Sequence, residues 1–203
     1  VDFTILGGDE WCCGFPLIGA GMPEKIKTLM EHNLQKVKEV GAKKIVFTCP
    51  SCYHMWKNFY EPEVELLCTS ELLEQLLSEK RISLKEINAT VTYHDPCDLG
   101  RNSGIFESPR EVLKAIPGIR LIEMPNNRQM ANCCGGGGNL EMVDPELSAK
   151  VAQMKIEEIL ETGADMVVTS CQQCVRTIAT RARRQKINLV VKDLTDLVAE
   201  AMG

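Results

Sequence analysis

The chain lacks any run of 18 or more apolar residues, a charged-then-apolar leader and an arginine-rich, acid-poor start. A membrane-spanning helix, a secretory signal and a transit peptide each need one of these features. Positive charge is also scarce, because 28 acidic residues oppose 23 basic ones and leave a net charge of -5. Nucleic-acid binding relies on a basic footprint, so the composition argues against a nucleic-acid partner. We therefore expect a cytoplasmic protein, free or held at the inner face of the membrane by a partner.

Cysteine, in contrast, is abundant, with ten in 203 residues. In a reducing compartment such a chain is more often a metal or redox protein than a disulfide-linked one. The hydrophobic content of 44% is enough to bury a substantial core, and the length fits one large domain or two similar small ones.

Eight of the ten cysteines belong to a pattern that occurs twice. The first copy is Cys12-Cys13-Gly14 followed by Cys49-Pro-Ser-Cys52, and the second is Cys133-Cys134-Gly135 followed by Cys171-Gln-Gln-Cys174. The copies are offset by 121 residues at the adjacent pair and by 122 at the Cys-x-x-Cys. This indicates an internal duplication with a first lobe at residues 1–86 and a second at residues 87–203.

Strand and helix patterns alternate along both copies. Strands are predicted at residues 1–6, 44–48, 64–67, 90–94, 120–124, 166–169 and 188–191, and helices at 23–41, 108–116 and 145–162 and from Ser70 and Asp193. The order predicts an α/β fold of two duplicated Rossmann-like lobes, each a largely parallel sheet with flanking helices. Every cysteine block is expected just after a strand, at the carboxyl edge where such folds bind ligands.

One cysteine of the second copy has no counterpart in the first. Cys97 follows the first strand of the second lobe, and the equivalent position falls roughly two dozen residues before Val1 by the repeat arithmetic. We therefore expect the first lobe to be truncated, with a strand, a helix and a fifth cysteine in an upstream segment of a longer polypeptide.

Sulfur ligands in this number favour an iron-sulfur cluster over zinc. Two thiolates separated by two residues can bind one metal. The side chains of two adjacent cysteines point in different directions, so both can be ligands only of a cluster with several iron positions. The five thiolates concerned are Cys97, Cys133, Cys134, Cys171 and Cys174. A zinc-stabilised interaction module, with about one zinc per four cysteines, is the alternative from another functional class.

Residues next to the cysteines are candidates for a supporting role. Glycine at Gly14 and in the run Gly135, Gly136 and Gly137 would let the backbone approach a cluster and direct N–H groups at its sulfides, although a flexible loop is the alternative. His94 and Asp95 precede Cys97 and form either a proton relay or hydrogen bonds to the backbone at a strand end. Cys68 is interpreted as a buried apolar residue, and Met130, Met142, Met154 and Met166 as core filling.

The second copy resembles a known family. Its spacing Cys97-x35-Cys133-Cys134-Gly135-x35-Cys171-x2-Cys174, with His94-Asp95-Pro96 ahead of it, is similar to the cysteine-rich Cys-Cys-Gly (CCG) domain family. Members include catalytic subunits of heterodisulfide reductase and iron-sulfur subunits of glycolate and lactate oxidases. The resemblance is strongest to the D-type reductase subunits, at residues 9–14 and 121–125.

The resemblance implies cofactors and partners. Each five-cysteine set would hold a non-cubane [4Fe-4S] cluster. The set that contains Cys97 would ligate the second cluster. The first cluster would be ligated by Cys12, Cys13, Cys49 and Cys52, and its fifth ligand would be missing here. The chain would then be an oxidoreductase subunit that transfers electrons to or from a small disulfide or thiol. Its partners would be a flavoprotein, a ferredoxin-like or a membrane cytochrome subunit. The alternative is an iron-sulfur electron relay for a hydroxyacid dehydrogenase of the glycolate or lactate type.

Overall fold

Strands and helices alternate along the chain, and every strand pairs in parallel with its neighbours. The computed structural model describes residues 1–203. The strands are β1 (Lys44–Phe47), β2 (Glu65–Cys68), β3 (Ala89–His94), β4 (Ile119–Leu121), β5 (Met166–Thr169) and β6 (Val190–Asp193). The α-helices are α1 (Phe15–Gly19), α2 (Ile26–Val40), α3 (Pro50–Met55), α4 (Thr69–Ser78), α5 (Ser108–Ala115), α6 (Leu140–Val143), α7 (Pro145–Glu161), α8 (Gln172–Arg184) and α9 (Leu194–Met202).

The strands form two separate sheets. β1 and β2 make a two-stranded sheet, and the other four strands make a sheet in the order β4-β3-β5-β6. The predicted α/β class with parallel sheets and flanking helices is confirmed. The two sheets lie on either side of the predicted boundary between residues 86 and 87, and the division into two lobes there stays a prediction.

Both faces of the four-stranded sheet are covered by helices. Val91 and Tyr93 point to one face and pack with residues of α5 and α9. Val167 points to the other and packs with Ile156 of α7 and Ile178 of α8. Alternate residues of a strand point to opposite faces, so a sheet buried on both sides reads as a nearly continuous apolar run.

Local signals set several helix ends where the sequence predicts them. Pro50 occupies the first position of α3, and Gly41 ends α2 in the left-handed conformation with φ 64°. Both residues suit these places, since proline needs no N–H there and glycine has no Cβ to strain. None of the helices combines the length and the apolar composition needed to cross a membrane.

The strand predicted at residues 1–6 does not form. The segment has no strand partner, and Val1, Phe3 and Ile5 are largely exposed. An alternating apolar pattern yields a strand only where a neighbouring backbone accepts its hydrogen bonds. The prediction that every cysteine block follows a strand is therefore wrong for Cys12. It is also wrong for Cys133, which follows a short 3-10 helix at Arg128–Met130 and not β4.

Three smaller predictions are also corrected. β4 ends at Leu121 and not at residue 124, because its pairing with β3 stops there. Ser70 lies inside α4, whose N-cap is Cys68, and the Glu71 carboxylate accepts a hydrogen bond of 2.8 Å from the Cys68 N–H. The predicted role in core filling is wrong for Met130, Met142 and Met154, because all three side chains are exposed at the surface.

Candidate functional site

The first cysteine set is built on the turn between β1 and α3. Cys49 is the N-cap of α3, and Cys52 lies in its first turn. The Cys52 thiol donates a hydrogen bond of 3.3 Å to the Cys13 sulfur. A residue 39 positions away is thus brought against the Cys-x-x-Cys turn.

The second set repeats this construction with deeper burial. Cys171 is the N-cap of α8, and Cys174 lies in its first turn. The donor atoms of His94, Cys134 and Cys174 all lie within 4.8 Å of one another, and all three residues are buried. Cys97 is half-buried on the turn after β3 and Cys133 is exposed, and the ligation of one cluster by all five cysteines stays a prediction.

The two Cys-Cys-Gly turns share their geometry. Gly14 and Gly135 adopt φ values of 88° and 86°. Their N–H groups donate to the sulfur two residues earlier, Gly14 to Cys12 at 3.4 Å and Gly135 to Cys133 at 3.3 Å. In each turn the first cysteine is exposed and the second is buried. The duplication seen in the sequence therefore extends to the backbone.

Close packing explains glycine at these positions. A Cβ at Gly135 would lie 2.6 Å from the Ser148 carbonyl oxygen, and one at Gly14 would lie 2.9 Å from Cγ2 of Ile26. A Cβ at Gly136 would collide with Thr177, whereas one at Gly137 would meet nothing within 4 Å. Gly14, Gly135 and Gly136 are thus needed to seat the turns against helices, and their contact with a cluster stays a prediction.

Hydrogen bonds among the thiols, together with burial, give the cysteines of each set different pKa values. In the first set, the Cys52 thiol lowers the pKa of Cys49 to about 6 and that of Cys13 to about 7. In the second, hydrogen bonding from Cys133 lowers the pKa of Cys134, whereas burial raises that of Cys97 to about 11. A thiolate is the form that ligates metal, so the lowered pKa values of Cys49, Cys13 and Cys134 favour the ligating form at these three cysteines.

His94 and Asp95 face different surroundings. His94 is 1% exposed, and its Nδ1 has no hydrogen-bond partner. Asp95 accepts two hydrogen bonds, of 2.7 and 2.8 Å, from the fully buried Arg110 guanidinium. The Arg128 N–H donates a third, of 2.8 Å. Asp95 is held in an ion pair, and the proton-relay role of His94 and Asp95 stays a prediction.

Sequence reasoning missed two hydrogen bonds that join the two cysteine sets. Asp98, directly after Cys97, accepts a hydrogen bond of 2.5 Å from Ser51 between Cys49 and Cys52. A second hydrogen bond has its donor in the second set and its acceptor in the first. The Gln172 amide, which follows Cys171, donates it over 3.0 Å to the carbonyl oxygen of Thr48, directly before Cys49. The signal was a carboxylate beside a candidate ligand, but its partner lies 47 positions away and cannot be read from the chain.

The donor groups fit an iron-sulfur cluster. Two nearly equivalent sets of thiols converge, in part buried, and the buried His94, whose Nδ1 has no hydrogen-bond partner, lies beside Cys134 and Cys174 of the second set. Buried polar groups in folded proteins rarely stay without a partner. Cysteine thiolates are the usual ligands of such clusters, and backbone N–H groups near the sulfurs are the usual support.

Comparisons with known proteins point the same way. A family model described as "Cysteine-rich domain" (CCG) matches residues 1–57 and 91–179. The chain is 37% identical to the D-type subunit of the dihydromethanophenazine:CoB–CoM heterodisulfide reductase of Methanosarcina mazei, over 100% of the chain and 52% of the relative. It is 30% identical to the probable iron-sulfur-binding oxidoreductase FadF of Bacillus subtilis, and 32% to the EtfAB:quinone oxidoreductase of Syntrophomonas wolfei. Both matches cover 100% of the chain and 30% of the relative.

The chain thus spans about half the length of the reductase relative and about a third of the other two. The family model, in contrast, covers most of the chain and both Cys-Cys-Gly turns. The chain belongs to the cysteine-rich CCG domain family.

Proposed function

We propose that this chain is an iron-sulfur subunit of an oxidoreductase complex that transfers electrons to or from a small disulfide or thiol. The observation that carries the proposal is the pair of matching thiol sets, each with an adjacent cysteine pair against the start of a helix. The 37% identity to a D-type subunit of a heterodisulfide reductase supports this substrate class.

The residues of each set would share the work of holding a cluster. Cys97, Cys133, Cys134, Cys171 and Cys174 would ligate the second, and Cys12, Cys13, Cys49 and Cys52 the first. A non-cubane [4Fe-4S] cluster would supply one-electron chemistry to open or form a disulfide bond.

The remaining contributions come from the protein itself. The N–H groups of Gly14 and Gly135 would support the outer sulfurs, and the exposure of Cys12 and Cys133 leaves both sets open to an incoming molecule. His94 would present its imidazole to the second set from the buried side, while the Asp95–Arg110 ion pair fixes the turn that carries Cys97.

The partners would be other subunits of an electron-transfer complex, of a flavoprotein, ferredoxin-like or membrane cytochrome type. A second candidate function is an electron relay that never meets an organic disulfide. The 32% identity to an EtfAB:quinone oxidoreductase favours it.

Anaerobic reconstitution of the chain with iron and sulfide tests the proposal. We expect about four iron and four sulfide per intact set, and an electron paramagnetic resonance signal that changes when a thiol is added after oxidation. Iron without a thiol response would instead support the relay, and zinc without sulfide would overturn both.

Two variants locate the iron. Cys174→Ser removes one ligand of the second set and should abolish the iron bound there. The matched control is Cys68→Ala, because Cys68 is buried but packs with Tyr53 and Leu99 outside both sets. Equal iron loss in the two variants would contradict the assignment of the second set.

A further inference from the structure

Helices α2 and α7 occupy equivalent places in the two copies. Gly14 is closest to Ile26 and Leu29 of α2, and Gly135 approaches Ser148 and Val151 of α7. Each pair of helix positions differs by 122 residues. Gly41 and Gly163, which follow the two helices, differ by the same number and have φ values of 64° and 65°. By this offset Asn33 of α2 is the counterpart of Lys155 of α7.

Asn33 holds the residues that enter the first Cys-Cys-Gly turn. Its side chain is 2% exposed. Its Oδ1 accepts from the Trp11 N–H at 3.0 Å, and its Nδ2 donates to the carbonyl oxygens of Trp11 at 3.2 Å and Cys12 at 3.4 Å. The Asn33 amide also contacts the Tyr60 hydroxyl, which donates a hydrogen bond of 3.0 Å to the Cys13 carbonyl oxygen. Both cysteines of the turn are thereby tied to one buried amide.

Lys155 holds the residues that enter the second Cys-Cys-Gly turn, and it acts through the Glu158 carboxylate. It is 1% exposed, and its Nζ donates to the Glu158 carboxylate at 2.5 Å. Glu158 in turn accepts from the Asn126 N–H at 3.2 Å and from the Asn132 side chain at 3.3 Å. Asn132 directly precedes Cys133, just as Trp11 directly precedes Cys12.

We propose that Asn33, and Lys155 together with Glu158, are positioning residues that hold the two Cys-Cys pairs in place before any metal arrives. Burying an amide or an ion pair is unfavourable unless its hydrogen bonds are satisfied. The two copies use different side chains at the same helix position, and what they share is the contact with the segment that enters the turn. The purpose of the contact rests on the proposed function, because an ordered pair of thiols matters most to a cluster.

The test uses the metal-free chain and measures alkylation of each cysteine by mass spectrometry. In the variant Lys155→Met with Glu158→Leu, the ion pair is removed without leaving a buried charge. We expect Cys134 to react at least about tenfold faster, the scale of losing one hydrogen bond to a charged group. Cys68 is buried outside both sets and should keep its rate.

Matched variants separate positioning from general destabilisation. Gln153→Met with Glu157→Leu removes the surface pair of the same helix, which is joined at 2.8 Å, and should leave Cys134 protected. Lys155→Met with Glu158→Gln restores an acceptor for Asn126 and should recover most of the protection. Acceleration of Cys68 as large as that of Cys134, or no acceleration of either, would overturn the proposal.

Asn33→Ala provides the same test in the first copy, read at Cys13, with the exposed Gln35→Ala as its control. Iron and sulfide binding by the unaltered chain separates this inference from the proposed function. Selective exposure of Cys134 in a chain that binds only zinc would retain the positioning role and reject the function. A chain that binds iron and sulfide, but in which the variants do not selectively expose Cys134, would retain the proposed function and reject the positioning role.

Discussion

The Ser51 hydroxyl donates a hydrogen bond of 2.5 Å to the Asp98 carboxylate and so links the two cysteine sets. Ser51 lies between Cys49 and Cys52, and Asp98 follows Cys97. The Asn102 amide donates to the other carboxylate oxygen at 2.8 Å, so Asp98 has a partner on each side. Together with the hydrogen bond from Gln172 to the Thr48 carbonyl oxygen, this buried carboxylate ties the two sets to each other.

Replacing Ser51 should weaken this link. Ser51→Ala leaves one Asp98 oxygen without its donor, and we expect the free energy of unfolding to fall by about 1–2 kcal/mol. Denaturant titration of the metal-free chain measures the change. Ser83→Ala, at an exposed position, is the matched control, and an equal loss in both variants would mean that the Ser51 bond contributes nothing specific.

Removing the Arg110 guanidinium should have a larger effect. Arg110 is fully buried and bonds Asp95 at 2.7 and 2.8 Å and Glu123 at 2.6 and 2.9 Å. Arg110→Met would leave the Asp95 charge buried and unpaired, which costs about 3–5 kcal/mol of unfolding free energy. Lys114→Met removes an exposed cation of the same helix and should cost less than about 1 kcal/mol. A loss of that smaller size for Arg110→Met would refute the structural importance of the ion pair.

Thiol reactivity of the metal-free chain should depend on pH differently at each cysteine. The pKa of Cys49 is lowered to about 6 by hydrogen bonding from Cys52, whereas burial raises that of Cys97 to about 11. Since the thiolate is the nucleophile, alkylation of Cys49 should reach half its maximal rate near pH 6, and Cys97 should stay slow at neutral pH.

The variant Cys52→Ala tests the cause of this difference. Without the Cys52 donor, the pKa of Cys49 should rise toward the ordinary thiol value of 9.0, and its alkylation at about pH 7 should slow. A Cys49 rate profile that does not move in Cys52→Ala would show that another group sets its pKa. Alkylation of Cys97 should be unaffected and serves as the internal control.

Alanine at Gly135 should displace the second Cys-Cys-Gly turn. The residue has φ 86°, and an added Cβ would lie 2.6 Å from the Ser148 carbonyl oxygen and 2.9 Å from the Ala152 nitrogen. Backbone atoms of a helix cannot move aside, so Gly135→Ala should lose at least about 1–3 kcal/mol and most of the iron bound by the second set. Gly137→Ala meets nothing within 4 Å and should retain both. Iron analysis and thermal unfolding measure the two effects, and equal behaviour of the variants would contradict the packing argument.

The sequence by itself determined the α/β class and the repeated cysteine pattern, whereas the membership of the two cysteine sets stays a prediction. These features rest on local signals: an apolar period of two or about 3.6 residues, proline at the start of α3, glycine at the end of α2, and cysteine spacing. The first three act within a few residues along the chain, and the cysteine spacing can be read directly from residue numbers, so none of them requires knowledge of the fold.

Tertiary structure decided what the local signals could not. The segment 1–6 has the pattern of a strand, but no neighbouring strand pairs with it. Asp95 and Asp98 look alike beside Cys97, yet one is neutralised by Arg110 and the other bonds Ser51. Asn33 and Lys155 look like ordinary surface residues of amphipathic helices, but both are buried. Each of these outcomes depends on which distant group fills the space next to a side chain, because a buried polar group takes its role from the partner that folding brings to it.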